Sequence, residues 1–298
     1  MLSIQKNIQL APYTTYKLGG PADYFISVQT EQELINALLF AHDKNIEYFI
    51  LGTGANILIS DEGFRGIVIH NNMRTISFKN NTVICESGVH IKDIISESLK
   101  RSLSGFEFFS GIPSTVGGAL WQNLHFLDLS EKNNETRYIA EIFKSAKIYD
   151  SLTEKEIILS NADFKFGYDT SILHSNKSFI VTSASFLLKN KPKGLIKETI
   201  SKTIDWRTEK HPPYKKEYSC GSVFKKIQGI GAGRLIDQCG LKGYTHKGVT
   251  ISEKHANFFI HHGEGTATAV KELINYVQEV VYQKKEYRLE TEIGFIGF

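Results

Sequence analysis

"FILGTGANILISDEGFRGIVIHN", residues 49–71, governs how the rest of the chain is read. An apolar run leads into Gly52-Thr53-Gly54, and the apolar residues beyond the glycines (Ile57, Leu58, Ile59, then Ile67, Val68, Ile69) have the β-branched texture of further strands. No helical period comes after the glycines, so this is not the strand–turn–helix cradle of the dinucleotide folds. Two glycines one residue apart still let the main chain bend sharply and bring its amides against an anion with no Cβ in the way. Asn56 adds a side-chain donor. A glycine-bearing β-turn without a ligand fits the same pattern, which is weak alone.

Outward from this bend the texture is mixed. Residues 22–29, "ADYFISVQ", read as a strand ending at Thr30, which forms a capping box with Glu33. The predicted helix carries Leu34, Ala37, Leu38 and Ala41 on one face, and "IEYFILGTG" returns as a strand. "RTISFKNNTVICESGV" predicts a hairpin around Asn80-Asn81, followed by a helix with Ile91, Ile94, Ile95 and Leu99 at helical spacing. "SAKIYDSLTEKEIILS" is a second hairpin candidate and "SFIVTSASFLLKN" a strand. "EKHPP" breaks whatever helix precedes it. Val270, Leu273, Ile274, Val277 and Val281 form the stripe of a late amphipathic helix. The closing "RLETEIGFIGF" reads as a strand with Glu290 and Glu292 on one face.

The chain has 298 residues, long for one core and enough for two or three packed units. Its net charge of +3 argues against a partner held by bulk electrostatics, nucleic acid above all. Cys85, Cys220 and Cys239 form no CxxC pair, which fits a reducing compartment. No HExxH or Cys/His set has metal-ligand spacing, so no metal is expected. No apolar run approaches spanning length, and the N-terminus lacks an uninterrupted apolar core, so the expectation is a cytoplasmic soluble protein.

Further stretches carry possible chemistry. In "GIPSTVGGALWQN", Gly111, Gly117 and Gly118 stand among small or apolar residues with Ser114 and Thr115 as donors, which lets a large flat ligand lie against the main chain. A close-packed glycine turn in a core has the same composition. Two glycine-rich stretches favour a bulky nucleotide cofactor over a single phosphate. "SCGSVFKK" puts Ser222 on a flexible backbone ahead of Lys225 and Lys226, without the GxSxG elbow. Tyr168 in "FGYDTS" and Glu292 near the end read, taken singly, as a packing tyrosine and a solvated acid.

Their order is more specific. "APYTTYKLGGPADYF", "ILGTGANILISDEGFRGIVI", "GIPSTVGGALWQN", "FGYDTSI", "CGSVFKK", "AGRLIDQCGLKG", "ISEKHANFFIHHGEGTA" and "LETEIGFIG" follow one another as in the UDP-N-acetylenolpyruvoylglucosamine reductase family, which the chain resembles over nearly its whole length. The resemblance implies an α+β chain: an FAD-binding fold of the vanillyl-alcohol-oxidase (PCMH) type in two α/β subdomains, with a C-terminal α+β substrate domain. It implies FAD-binding subdomains over 1–71 (joined by the terminal strand 286–298) and 72–200, and a substrate domain over 201–285. Gly52, Thr53, Gly54, Ala55 and Asn56 would hold the FAD pyrophosphate. Gly111, Ile112, Pro113, Ser114, Gly117, Gly118 and Asn123 would line the ribityl chain and isoalloxazine. Ala55 stands where covalent relatives carry a histidine, which implies noncovalent FAD. NADPH would be the reductant, a UDP-sugar the substrate and the monomer the working form.

On the same resemblance Ser222 matches the family's proton donor, Glu292 its assisting carboxylic residue and Tyr168 the tyrosine of a tyrosine–arginine pair. Lys225 and Lys226 would face the substrate's diphosphate, Lys226 in place of a usual asparagine. Asp169 stands where that arginine is expected. Either another cation such as Arg137 or Lys165 substitutes for it, or Asp169 faces away, or the activity is altered, by a different substrate or by impaired catalysis. "LHFLDLSEKNNETRYIAEIFK", after Asn123, is longer and more charged than the family's small-residue run, and is expected to be a surface insertion.

Overall fold

Two hydrophobic cores organise the chain, each inside its own compact unit. The structure is a computed structural model that describes residues 2–129, 135–213, 216–227 and 229–298. Unit 1 holds residues 1–3, 26–52 and 69–207, and unit 2 holds 4–25, 53–68 and 208–298. The three-way division expected from the sequence followed function; packing groups the chain in two.

Unit 1 is built on a five-stranded antiparallel sheet in the order Lys155–Ser160, Phe143–Asp150, Phe179–Leu187, Thr82–Glu86, Ile76–Lys79. Both hairpins read from the sequence are in it. Alternation puts Ala146, Ala184 and Cys85 in a cross-strand row, with Phe186 beside Val83, all buried on one face. Helix Ile91–Lys100 adds Ile91, Ile94 and Ile95 to that core. Ser98 is buried there and Leu99 only half-buried, a drift of one position from the predicted face. Helix Glu31–Lys44 buries Leu34, Ala37, Leu38 and Ala41 as predicted. Its cap is offset: Thr30 accepts from the Glu33 amide, while the Glu33 carboxylate accepts from the Gln29 amide rather than from Thr30.

Unit 2 packs helix Ala267–Lys285 through Val270, Leu273, Ile274, Val277 and Val281 onto a core that includes Leu58, Phe224 and Phe259. Asp61 holds its N-terminus, accepting from the Ala267 and Thr268 amides at 2.8 Å each. The closing strand is shorter than expected. Only Gly294–Ile296 is strand, paired in parallel with Ile57–Ile59. Glu290 and Glu292 lie before it, because Thr291 makes a single bridge to Phe224 and the chain then changes partner to the glycine bend. Among the described residues no helix is long and apolar enough to cross a membrane.

The expected surface insertion after Asn123 is a correction. Residues 130–134 lie outside the described residues, but the rest is structural: His125–Leu127 pairs with Thr136–Tyr138, and Asp128, Ile139 and Phe143 are buried. Apolar residues spaced between its charges give this segment a side to bury.

Candidate functional site

In unit 2 the bend is held by what surrounds it. Gly54 has φ +60°, and a Cβ there would stand 2.7 Å from the Tyr13 carbonyl oxygen and 2.8 Å from Thr14 Cα, so the position is closed to other residues. The Thr15 amide donates to the Gly54 carbonyl (3.1 Å), and the Thr15 hydroxyl to the Ser219 carbonyl (2.9 Å). The Asn56 side-chain amide donates to the Glu292 carbonyl (3.4 Å), and Asn56 accepts from the Gly294 amide (3.0 Å). The Glu292 amide donates to the Val223 carbonyl at 2.8 Å. Residues far later in the chain therefore close a ring of hydrogen bonds with the bend, some from the main chain and some from the Asn56 and Thr15 side chains. Ser222 and Glu292 are both half-buried in that ring.

Ser222 lies between Gly221 (φ +89°, with open space where a Cβ would project) and a segment clamped by Asn257. The Asn257 carboxamide accepts from the Phe224 amide (3.0 Å) and donates to the Phe224 carbonyl (2.8 Å), imitating a strand partner. Sequence reasoning missed Asn257 as a site residue, although it stands inside the quoted "ISEKHANFF" motif. A buried asparagine among aromatics is the signal that could have found it. Burial drives the neighbouring Cys220 thiol far above its ordinary range, and the Glu292 charge pushes it the same way, so that carboxylate acts on the serine's loop. Lys225 is paired with Glu290 (3.3 Å) and Lys226 is exposed.

In unit 1, Gly52 passes Thr115, whose hydroxyl would be 2.6 Å from an added Cβ. Thr115 caps helix Val116–Gln122, accepting from the Gly118 amide (3.3 Å). The Val116 and Gly117 amides donate to the Val89 and Ser87 carbonyls. The helix's first amides are thus committed inside the protein, so this stretch is no phosphate cradle. Gly111, Pro113 and Gly118 are exposed, with Ile112, Ser114 and Gly117 half-buried, a strip of main chain suited to a flat group. Asn123 ends the helix at φ +48° and donates to the Gly167 carbonyl (2.8 Å), while its own buried carboxamide oxygen has no hydrogen-bond partner among the described residues. An acceptor left in that state suits a ligand donor. The residues present therefore fit a flavin nucleotide.

Asn123, Tyr138, Ala140, Glu141, Phe166, Gly167 and Tyr168 line a cleft of about 420 Å³. Tyr168 is exposed at its edge. Asp169 turns away from the cleft: its side chain is 1% exposed and its Oδ1 is 3.7 Å from His125 Nδ1. Arg137 is engaged by Asp128 (3.1 Å) and Glu141 (3.6 Å), and Lys165 is exposed and absent from the lining.

Residues 212–296 match the model of the UDP-N-acetylenolpyruvoylglucosamine reductase C-terminal domain, and residues 22–131 match that of an FAD binding domain. The UDP-N-acetylenolpyruvoylglucosamine reductase of Clostridium perfringens (strain SM101 / Type A) is 35% identical over 97% of this chain and 91% of its own length. The chain belongs to the UDP-N-acetylenolpyruvoylglucosamine reductase family. The reductase of Listeria monocytogenes serotype 4b is 36% identical, over 99% of this chain and 96% of its own. The crystal structure of the Thermus caldophilus member superposes with a TM-score of 0.82 at 29% identity, covering 99% of this chain and all of that one. As a member of the family, the chain is an FAD-dependent oxidoreductase with an α+β fold.

Proposed function

We propose that this enzyme reduces the enolpyruvyl ether of UDP-N-acetylglucosamine-enolpyruvate to UDP-N-acetylmuramate, with NADPH as reductant, in cytoplasmic peptidoglycan precursor synthesis. Bound FAD supplies the relay of a hydride from NADPH to the terminal methylene of the enol ether. The chain's own residues do the rest. Gly54, Ala55 and Asn56, with Thr53 and Gly52 before them, hold the cofactor's linked phosphates through main-chain amides. Gly111, Ile112, Pro113, Ser114, Gly117, Gly118 and Asn123 bear on its flat portion. Ser222 delivers a proton from Oγ to the carbon beside the substrate carboxylate, so hydride and proton together saturate the double bond. A serine hydroxyl is a weak acid, and it works here through fixed placement against the carbanion-like carbon. Glu292 assists that delivery, Lys225 and Lys226 meet the diphosphate, and Tyr168 orients the enolpyruvyl end.

The observation that carries this reading is the set of hydrogen bonds linking Asn56 (through its side-chain amide) to Glu292, and Glu292 to Val223, which ties the glycine bend, Ser222 and Glu292 into one small region. Stopped-flow spectroscopy of the two half-reactions tests it. Ser222→Ala should leave flavin reduction by NADPH within about twofold and slow reoxidation by substrate by about 10²–10⁴. Equal loss in both half-reactions, or a preparation that stays colourless after FAD reconstitution, overturns it.

A further inference from the structure

One cation of unit 1 has no anion to answer it. Arg207 lies near the end of helix Lys193–Lys210. Among the described residues its guanidinium forms no hydrogen bond and no ion pair, and it rests on the face of Phe126, 5.2 Å from the ring centroid. Phe126 is itself braced edge-on by Trp206 (5.5 Å between centroids). Arg207 is half-buried, and burial alone lowers it to about 10, so the positive charge persists at neutral pH. Drawing a charge out of water without a partner is costly, and a bound ligand is what would repay it. Beside Arg207 stands Gly111, where a methyl group would lie 3.2 Å from Arg207 Nε and 3.3 Å from its Cδ. Gly111 is exposed, has φ +79°, and among the described residues its amide forms no hydrogen bond either. A main-chain donor and a charged fork, neither used inside the protein, therefore adjoin at the start of the strip 111–113.

We propose that Arg207, seated on Phe126 and against Gly111, donates to an electron-rich edge of the flavin lying along residues 111–113 and holds a positive charge there. The inference rests on the functional reading above, which puts the flat portion of FAD on this strip, and adds a charged contact to it. An isoalloxazine offers neutral acceptors when oxidised and gains negative charge when reduced. A cation at its edge therefore favours the reduced form and raises the reduction potential. A guanidinium suits the task, being planar, always charged and able to meet two neighbouring acceptors in one plane. A phosphate fits less well, because phosphate sites gather several main-chain amides. Here the Ile112 amide is committed to the Phe109 carbonyl (3.1 Å), and Pro113 has no amide to give.

The test uses FAD-loaded holoenzyme and two readouts that need no turnover. One is the midpoint potential of the bound flavin. The other is the dissociation constant of sulfite, which adds to oxidised flavin through its sulfur lone pair and leaves the negative charge on the ring. Arg207→Gln should weaken sulfite binding about tenfold and lower the potential by about 30 mV, the two-electron equivalent of a tenfold change. Arg207→Lys, which keeps the charge but loses the fork, should fall between that variant and the wild type. Because no group of the chain pairs with the guanidinium, the apoprotein Tm should move by no more than about 2 °C in either variant. If Arg207→Gln does not retain FAD, Arg207→Lys carries both readouts and should lie below the wild type in each. An unchanged potential and sulfite affinity overturn the inference. So does a selective loss of NADPH over NADH with both readouts unmoved, which would give Arg207 to the reductant's phosphate. Either result leaves the functional reading standing, whereas a wild-type chain that takes up no FAD sinks both.

Discussion

Gly54 and Asn257 show how single residues fix this site. At Gly54 the left-handed backbone and the adjacent Tyr13 carbonyl leave no volume for a methyl group. Gly54→Ala should cost about 1–3 kcal/mol in urea unfolding and lower the flavin-to-protein ratio of the purified enzyme. A variant with both at wild-type values would show that the bend tolerates a Cβ and does not hold FAD. Asn257 closes both hydrogen bonds of Phe224 from one side chain. Truncating it leaves a buried amide and carbonyl unpaired, so Asn257→Ala should destabilise by about 2–4 kcal/mol, measured by thermal and chemical unfolding. These positions differ in how they announce themselves. The glycines of the bend were legible because a GxG between strands is a local pattern. Asn257 was not, because its meaning comes from a residue 33 positions away.

At the scale of elements, the long helix of unit 2 depends on a cap supplied from a distant loop. Burial works to raise the Asp61 carboxyl, but hydrogen bonds from the Thr268 hydroxyl and the Thr268 and Ala267 amides outweigh it and hold the group below its ordinary value. A carboxyl lowered on folding stabilises the protein above its unfolded pKa, and that contribution disappears as pH falls through the lower folded one. Asp61 is exposed, so solvent screening keeps the effect small. Asp61→Asn should cost about 0.5–1 kcal/mol at about pH 7, and the gap should close below about pH 4 in urea titrations at several pH values. In the buried stripe of the same helix, Leu273 is fully buried, and Leu273→Ala should cost about 2–5 kcal/mol with an unchanged m-value. Helix stripes and hairpins were readable from periodicity. The shortened last strand was not, since its apolar alternation continues past the point where its partner changes.

For the whole molecule, all three cysteines are free and buried, and burial pushes the Cys85 thiol up to about 12. None should react with a thiol reagent in the native state at about pH 8, and all three should react on unfolding, as a colorimetric titration would count. FAD, which binds the folded chain, should raise stability by about 2.7 kcal/mol at a concentration of about 100 times its Kd, seen as a concentration-dependent Tm. By itself the sequence determined the element types, the two glycine stretches and the ordered motifs that mark the family, because period, turn chemistry and motif order are local or linear properties. Only the tertiary structure decided which residues become neighbours. Asn56 reaches Glu292 through its side-chain amide, Glu292 bonds Val223 through the main chain, and His125 meets Asp169 across 44 positions, since such contacts arise from strand pairing and packing at separations no local pattern encodes.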